Sequence, residues 1–285
     1  IRPRPAAGLF CGSTMLSYPE QIIRIGSLVP ARGSAAVVSV HPGIVNLLHT
    51  DEEGEYIIAL VGEPDFWTEL SLAAAPGLPQ SRYKAGSWTR WDAQSGHAAA
   101  RPIRDVDPDT LRALRVLLLD RYPRTGMVPL LQESRAPVDP VCRRARRELG
   151  EPAAAGQHAP DTPLQRASRL AGLGMGLTPS GDDFISGVAL SAWRGGTTPG
   201  SLDPGEIAAL TAALPRTTAA GASLLRLVRA GHPPQWQLTV LQHLTAGNVD
   251  AALQLAAQHG HSSGVDTLAG LVWAGEFTRS ADHHG

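Results

Sequence analysis

The spacing of apolar residues changes near residue 107, and this change limits the folds open to the chain. Before it, the runs Ala35–Val40, Ile44–His49 and Glu55–Val61 are short and apolar, and the turn-forming stretches "HPG" and "TDEEG" separate them. This spacing predicts antiparallel strands joined by tight connections. We therefore expect the first part of the chain to be rich in β-structure.

The second part of the chain has a helical period. Leu111, Leu114 and Leu118 recur at steps of three and four residues, and Asp107 and Pro108 are good residues to begin that helix. Further helices are predicted near residues 164–173, 179–194, 204–214, 217–230, 235–246, 249–259 and 264–277. A β-rich part followed by helices predicts an α+β protein rather than an alternating βαβ fold.

These patterns divide the chain into five parts. They are a β-rich N-terminal domain at 1–105, a helical connector at 106–149, a mobile loop at 150–163, a helical domain at 164–278 and a tail at 279–285. The loop is assigned because its Pro, Ala and Gly residues show no period.

The charge and cysteine content bound the function. The net charge is -1, so no global basic field exists to hold nucleic acid or an anionic membrane. Two cysteines among 285 residues suit a reducing cytoplasm rather than a disulfide framework. No apolar run approaches the ~18 residues of a membrane span. We therefore expect a cytoplasmic protein that binds neither nucleic acid nor membrane.

The stretch "GLGMGLTPSGDDFISG" at 172–187 combines glycines with two adjacent aspartates. It is not a Walker loop, because Asp182 stands where lysine is required. It is not a Rossmann fingerprint, because Leu177 occupies the third glycine position. A phosphate cradle, a metal site and a capped helix start remain open, and the S-x-x-D spacing of Ser180 and Asp183 favours the last.

A second stretch, "GHSSGVDTLAGLVWAG" at 260–275, repeats the pattern. The matching pairs are Ser180/Ser263, Gly181/Gly264, Asp183/Asp266 and Gly187/Gly270. Each copy would begin a helix, and Asp and the later Gly, four residues apart, would share one face of it. We therefore expect the two helices to pack with Gly187 near Gly270 and with both N-terminal tips at one cleft.

Such a pair of tips suggests a mixed binding site. Helix N-termini offer N–H donors to an anion, whereas carboxylates suit a ligand that carries N–H groups, or a Mg²⁺ ion that bridges acid and phosphate. The candidate catalytic residues are Asp182, Asp183, His261 and Asp266. The candidate substrate or phosphate contacts are Gly174, Gly176, Thr178, Ser180, Gly181, Ser262, Ser263, Gly264, Thr218 and Ser223. No protein metal ligand is assigned, and no cofactor is predicted apart from a possible Mg²⁺.

Simpler interpretations stay open for several of these residues. Thr218 and Ser223 belong to a middle segment, 216–232, where hydroxyls can merely cap a helix. His261 suits acid–base work or an oxyanion contact, and equally a capping or packing role. A Ser/His/Asp triad is disfavoured because no G-x-S-x-G elbow is present.

At these residues the sequence resembles a known family, whose members carry G-L-G-x-G-L-T-P-S-G-D-D and G-H-S-S-G-x-D motifs. Here they stand at Gly172–Asp183 and Gly260–Asp266. The family includes the smallest subunit of bacterial oxamate carbamoyltransferase, an enzyme of anaerobic allantoin breakdown and thus of purine catabolism.

The resemblance implies a transferase that moves a carbamoyl group between carbamoyl phosphate and a small amide or amino acceptor such as oxamate. It also implies further carbamoyltransferase subunits as partners, beside possible self-association. A non-catalytic assembly subunit and a Mg²⁺-dependent phosphoryl-transfer enzyme are the alternatives.

Overall fold

A computed structural model of the protein describes residues 14–16, 22–62, 68, 70–74, 83–92, 106–132, 139–150, 161–192 and 202–282. A β-sheet is followed along the chain by helices, which confirms the predicted α+β class. The strands are β1 Thr14–Leu16, β2 Ile22–Ile25, β3 Arg32–His41, β4 Ile44–Asp51, β5 Gly54–Val61, β6 Ser71–Ala74 and β7 Trp88–Asp92.

The strands form one sheet in the order β1-β7-β3-β4-β5-β6-β2. The three apolar runs seen in the sequence lie in β3, β4 and β5, and β3 pairs antiparallel with β4, as expected. The turn between them uses Gly43 at φ 76°, a region that favours glycine. The pairs β1–β7 and β5–β6 are parallel, which local spacing alone does not predict.

The helices follow the predicted segments closely. They are α1 Pro108–Arg121, α2 Pro140–Leu149, α3 Pro163–Ala167, α4 Ser180–Ala192, α5 Pro204–Ala213, α6 Ala219–Arg229, α7 Gln235–Thr245, α8 Val249–Ala257 and α9 Ser263–Asp282. Short 3₁₀ turns lie at Val128–Leu131, Ser168–Leu170 and Leu214–Arg216. Within the described residues, no helix is long and apolar enough to cross a membrane.

Helix starts are set by local chemistry. Asp107 accepts hydrogen bonds from the backbone N–H groups of Asp109 and Thr110, and Pro108 occupies the first helical position of α1. Asp203 and Glu206 form a full capping box at α5. Acceptor side chains and prolines therefore fix where these helices begin.

The chain separates into two compact units, one comprising residues 1–50 and 57–98, the other 51–56 and 99–285. Most of the predicted mobile loop, 151–160, lies outside the described residues. In the predicted tail, the backbone continues α9 to Asp282, and residues 283–285 lie outside the described part.

A short segment around the β4–β5 turn, Asp51–Tyr56, belongs to the helical unit. Arg226 on α6 is buried and donates hydrogen bonds to both carboxylate oxygens of Asp51 and to Glu53. Its guanidinium also lies over the ring of Tyr56, 4.1 Å from the centroid. A buried arginine requires such partners, because an unpaired charge in this position would be strongly destabilising.

Candidate functional site

Helices α4 and α9 pack against each other through two glycines. A Cβ atom on Gly187 would overlap the carbonyl oxygen of Thr267, and one on Gly270 would overlap that of Phe184. Only glycine therefore allows the two backbones to approach this closely. The predicted packing of the two helices through Gly187 and Gly270 is confirmed.

The N-terminal tips of these helices meet through their hydroxyl and carboxyl groups. The Ser263 hydroxyl at the start of α9 interacts with the carboxyl group of Asp183 on α4 and lowers its pKa. In the reverse direction, the Ser180 hydroxyl at the start of α4 interacts with the carboxyl group of Asp266 on α9 and lowers its pKa. The repeated sequence thus becomes a reciprocal arrangement, in which each tip places a hydroxyl beside the acid of the other.

Two further hydroxyls complete the arrangement. The Thr178 hydroxyl lowers the pKa of Asp183, and the Ser262 hydroxyl lowers that of Asp266. The hydroxyl oxygens of Thr178 and Ser263 are 3.4 Å apart, and all four hydroxyl residues are only half-buried. The site therefore combines four half-buried hydroxyl residues with two buried acids.

The two acids beneath the hydroxyls are almost completely buried. Asp183 is 3% exposed and Asp266 is 0% exposed. Burial raises the pKa of Asp183 to about 8, with further increases from the nearby charges of Asp266 and Asp182. Burial also raises the pKa of Asp266 to about 6. Both carboxyl groups are therefore more basic than an exposed aspartate.

A main-chain donor distinguishes Asp266 from Asp183. The N–H group of Met127 donates a 2.6 Å hydrogen bond to Oδ1 of Asp266, which partly offsets the effect of burial on its pKa. Gly126, at φ 48°, permits the approach, because a Cβ there would overlap the carboxylate. Its carbonyl oxygen accepts a 3.0 Å bond from the buried Cys142 thiol.

Sequence reasoning missed this contribution from the connector. The available signal was Gly126, which follows the helix predicted from Pro108 and indicates a turn but not its position beside the site.

The second carboxylate oxygens of the two acids are unsatisfied. Oδ2 of Asp183 and Oδ2 of Asp266 are buried and have no hydrogen-bond partner among the described residues. Such atoms are uncommon in folded proteins, because an unpaired buried acceptor is destabilising. They indicate that a proton or a ligand donor belongs at this point.

Asp182 adjoins Asp183 in sequence but has hydrogen-bond partners of its own. Its Oδ1 accepts a 2.9 Å bond from the N–H group of Gly172, and its Oδ2 accepts one from the hydroxyl of Thr217. It is 0% exposed. Burial raises its pKa, an effect opposed by these two bonds. Asp182 thus ties the glycine-rich loop to the segment before α6.

The first-turn amides of α4 and α9 are engaged within the chain. The N–H of Gly181 donates to the Leu173 carbonyl at 2.8 Å, and that of Gly264 to the His259 carbonyl at 3.1 Å. Both glycines are buried. These two amides are therefore not free for the phosphate contact expected from the sequence.

The loop glycines have conformations that other residues rarely adopt. Gly174 and Gly176 have φ 118° and 116°, and Gly176 is exposed. The loop is held by the Thr218 hydroxyl, which donates to the carbonyl of Leu177.

The remaining candidates are placed as follows. Thr218 also caps α6, accepting a 3.0 Å bond from the N–H of Gly221. Ser223 bonds the Ala219 carbonyl of its own helix. His261 is exposed and precedes Ser262 at the α9 tip.

The possible Mg²⁺ ion expected from the sequence stays a prediction. No group of three or more His, Cys, Asp or Glu side chains within the described ranges has an arrangement that could hold one. The chemistry of the site is that of two buried carboxyl groups and four hydroxyls. Such a set can bind a polar ligand and exchange a proton with it.

Comparison with known proteins is informative for the helical part. No curated protein and no solved structure matches the chain. One family model, described as oxamate carbamoyltransferase subunit AllH, matches residues 170–275. The matched segment contains both tips, all of α4 and most of α9. The resemblance indicated by the two motifs is thus confirmed: over residues 170–275 the chain matches the family of oxamate carbamoyltransferase subunit AllH.

Proposed function

We propose that the protein is a carbamoyltransferase subunit whose paired helix tips take part in carbamoyl transfer between carbamoyl phosphate and a small amide or amino acceptor such as oxamate. The observation that carries this proposal is that the family match and the acid pair lie in the same segment of the chain. The segment that matches the carbamoyltransferase subunit family, 170–275, is the segment that brings Asp183 and Asp266 together beneath four hydroxyls.

The hydrogen-bonding capacity of the hydroxyls supports an amide ligand. A serine or threonine hydroxyl has one proton to donate and two lone pairs that accept. Where Thr178 and Ser263 donate to Asp183, and Ser180 and Ser262 to Asp266, lone pairs remain for the ligand. An outward layer of acceptors suits the N–H groups of a carbamoyl or amide group better than it suits phosphate oxygens.

The proposed reaction balances as a simple transfer. The acceptor nitrogen attacks the carbonyl carbon of carbamoyl phosphate, an N–C bond forms, and the C–O bond to phosphate breaks with its electron pair leaving on phosphate. The proton lost from nitrogen passes to a carboxylate, for which Asp266 is the proposed base. The phosphate lies toward solvent, where Gly176 and His261 are exposed, and His261 stabilises the oxyanion of the tetrahedral state.

The test is turnover with and without the acid. The purified full chain, alone and assembled with its partner subunits, is given carbamoyl phosphate and oxamate, and phosphate release and carbamoylated product are both measured. Asp266→Ala is expected to lower turnover by about 100-fold or more. Ser191→Ala, whose hydroxyl bonds Val188 at the far end of α4, is the matched control and retains turnover. Wild-type turnover by the Asp266→Ala variant contradicts the proposal.

A second candidate is a non-catalytic subunit that serves assembly. It is favoured by the burial of both acids and by the use of Gly187 and Gly270 for close helix packing. In this case the Asp266→Ala variant, once shown to be folded by circular dichroism, supports full turnover when it is reassembled with the partner subunits. Calorimetric titration of carbamoyl phosphate into the chain alone also separates the two, because an assembly subunit gives no binding heat.

A further inference from the structure

The starting point is the pair of unsatisfied carboxylate oxygens. Oδ2 of Asp183 and Oδ2 of Asp266 are both buried, and neither has a hydrogen-bond partner in the described part of the chain. Two ionised groups in this position would repel each other in a poorly solvated environment. One proton held by the pair removes this repulsion and converts one oxygen into a donor.

The surroundings of the two acids decide which of them holds the proton. Asp266 accepts a main-chain N–H bond from Met127, which stabilises its ionised form. Among the described residues, only the hydroxyls of Ser263 and Thr178 lower the pKa of Asp183, whereas the charges of Asp266 and Asp182 raise it. The proton is therefore more stable on Asp183.

We propose that Asp183 is a neutral carboxylic acid and Asp266 a carboxylate at neutral pH, and that together they bind a primary amide group. The acid O–H of Asp183 donates to the amide carbonyl oxygen, and Oδ2 of Asp266 accepts from the amide NH₂. This inference deepens the proposed function and rests on it for the identity of the ligand, since carbamoyl and oxamate groups are both primary amides.

The raised pKa values of the two acids agree with this geometry. The pKa of Asp183 is raised to about 8 and that of Asp266 to about 6, in both cases chiefly by burial. The other groups that act on the pair are the Asp182 carboxylate and, next to Asp266, the buried Cys142 thiol. Burial raises the pKa of that thiol to about 12, so it remains neutral.

Two asparagine substitutions test the assignment, because they present different hydrogen-bonding groups to the ligand. Asn at 183 keeps a neutral donor for the amide carbonyl. Asn at 266 has its oxygen fixed at the Oδ1 position by the Met127 N–H, so its NH₂ takes the Oδ2 position and faces the ligand NH₂. The two variants are therefore expected to behave differently, although both remove one acid.

The measurement is calorimetric binding of oxamate to the full chain, alone and in the assembled complex, from pH 6 to pH 9. Wild-type affinity is expected to fall about tenfold per pH unit above pH 8, as Asp183 ionises. In Asp183→Asn the affinity no longer falls above pH 8. In Asp266→Asn it is at least tenfold lower than wild type at every pH, and oxalate, which lacks the amide, binds neither protein measurably.

Three results would overturn the proposal: equal effects of the two substitutions, equal binding of oxamate and oxalate, or no oxamate binding in either preparation.

A second measurement, of stability against pH, does not depend on a ligand. A raised folded-state pKa gives stability that is lost as pH rises from the unfolded value toward the folded one. The equilibrium constant for unfolding of the wild type should thus rise about tenfold per pH unit between pH 6 and pH 7, relative to that of Asp183→Asn. Parallel curves for the two proteins contradict a protonated Asp183.

Failure of this inference is distinguishable from failure of the proposed function. Amide binding with the expected asymmetry but without carbamoyl transfer leaves the inference standing and removes the catalytic role. Carbamoyl transfer with equivalent asparagine variants leaves the function standing and removes the protonation assignment.

Discussion

The two helix tips have nearly the same sequence pattern, yet they make different use of it. In both, a serine hydroxyl lowers the pKa of the aspartate of the other tip, and a glycine allows close packing. The position after the first-turn glycine is Asp182 in one copy and Val265 in the other. Asp182 holds a loop, whereas Val265 is an apolar core residue. The comparison teaches that the shared residues build the acid pair, while the residues that differ fix each tip in its own surroundings.

The largest effect is expected where the two copies are most alike. Gly187→Ala and Gly270→Ala each place a Cβ against a backbone carbonyl of the facing helix, and we expect each to destabilise the protein by about 3 kcal/mol or more. Denaturant unfolding measures this. Gly205→Ala is the matched control, because its Cβ meets chiefly the movable amide end of Gln165. A loss below about 0.5 kcal/mol in both helix variants would show that α4 and α9 do not cross at these residues.

A smaller effect is expected where the copies differ. Asp182→Val gives the first tip the residue of the second, and it leaves the Gly172 N–H and the Thr217 hydroxyl without their acceptor. We expect the free energy of unfolding to fall by about 2 kcal/mol. Thr217→Val, which removes one of the two donors and leaves the acid, should cost less. Equal stability of Asp182→Val and wild type would remove the loop-holding role of Asp182.

The smallest effect is expected from the exchanged serines. Ser263→Ala leaves Asp183 with Thr178 alone as a hydroxyl partner, whereas Ser180→Ala leaves Asp266 with both Ser262 and a main-chain donor. We expect losses of about 1 kcal/mol for Ser263→Ala and less for Ser180→Ala, measured by denaturant unfolding. The reverse order would indicate that the Met127 N–H does not support Asp266 as described.

Much of this architecture could be predicted from the sequence, because its causes are local or repeated. Aspartate and proline at helix starts, and alternating apolar runs in the strands, are short-range signals. The likeness of Ser180–Gly187 to Ser263–Gly270 was enough to predict that the helices pack through their glycines. Two segments with the same sequence pattern are expected to take equivalent positions in a shared contact.

What could not be predicted depends on contacts between residues distant in sequence. Met127 reaches Asp266 from the connector, and nothing in "RTGMVPL" shows that its amide faces an acid. The different fates of Asp182 and Asp183 follow from the positions they take around the helix, since adjacent residues point about 100° apart. The parallel strand pairs depend on chain connections that the apolar pattern does not specify.

The bond network of Arg226 limits how the molecule can be divided. Its acidic partners come from far earlier in the chain. Asp51 is the last residue of β4, and Glu53 lies in the turn between β4 and β5. A fragment that begins after residue 98 would retain both helix tips. It would leave the buried guanidinium of Arg226 without the counter-charges of this segment. The paired acids should therefore be studied in a polypeptide that includes residues 51–56, because this segment supplies the counter-charges of Arg226.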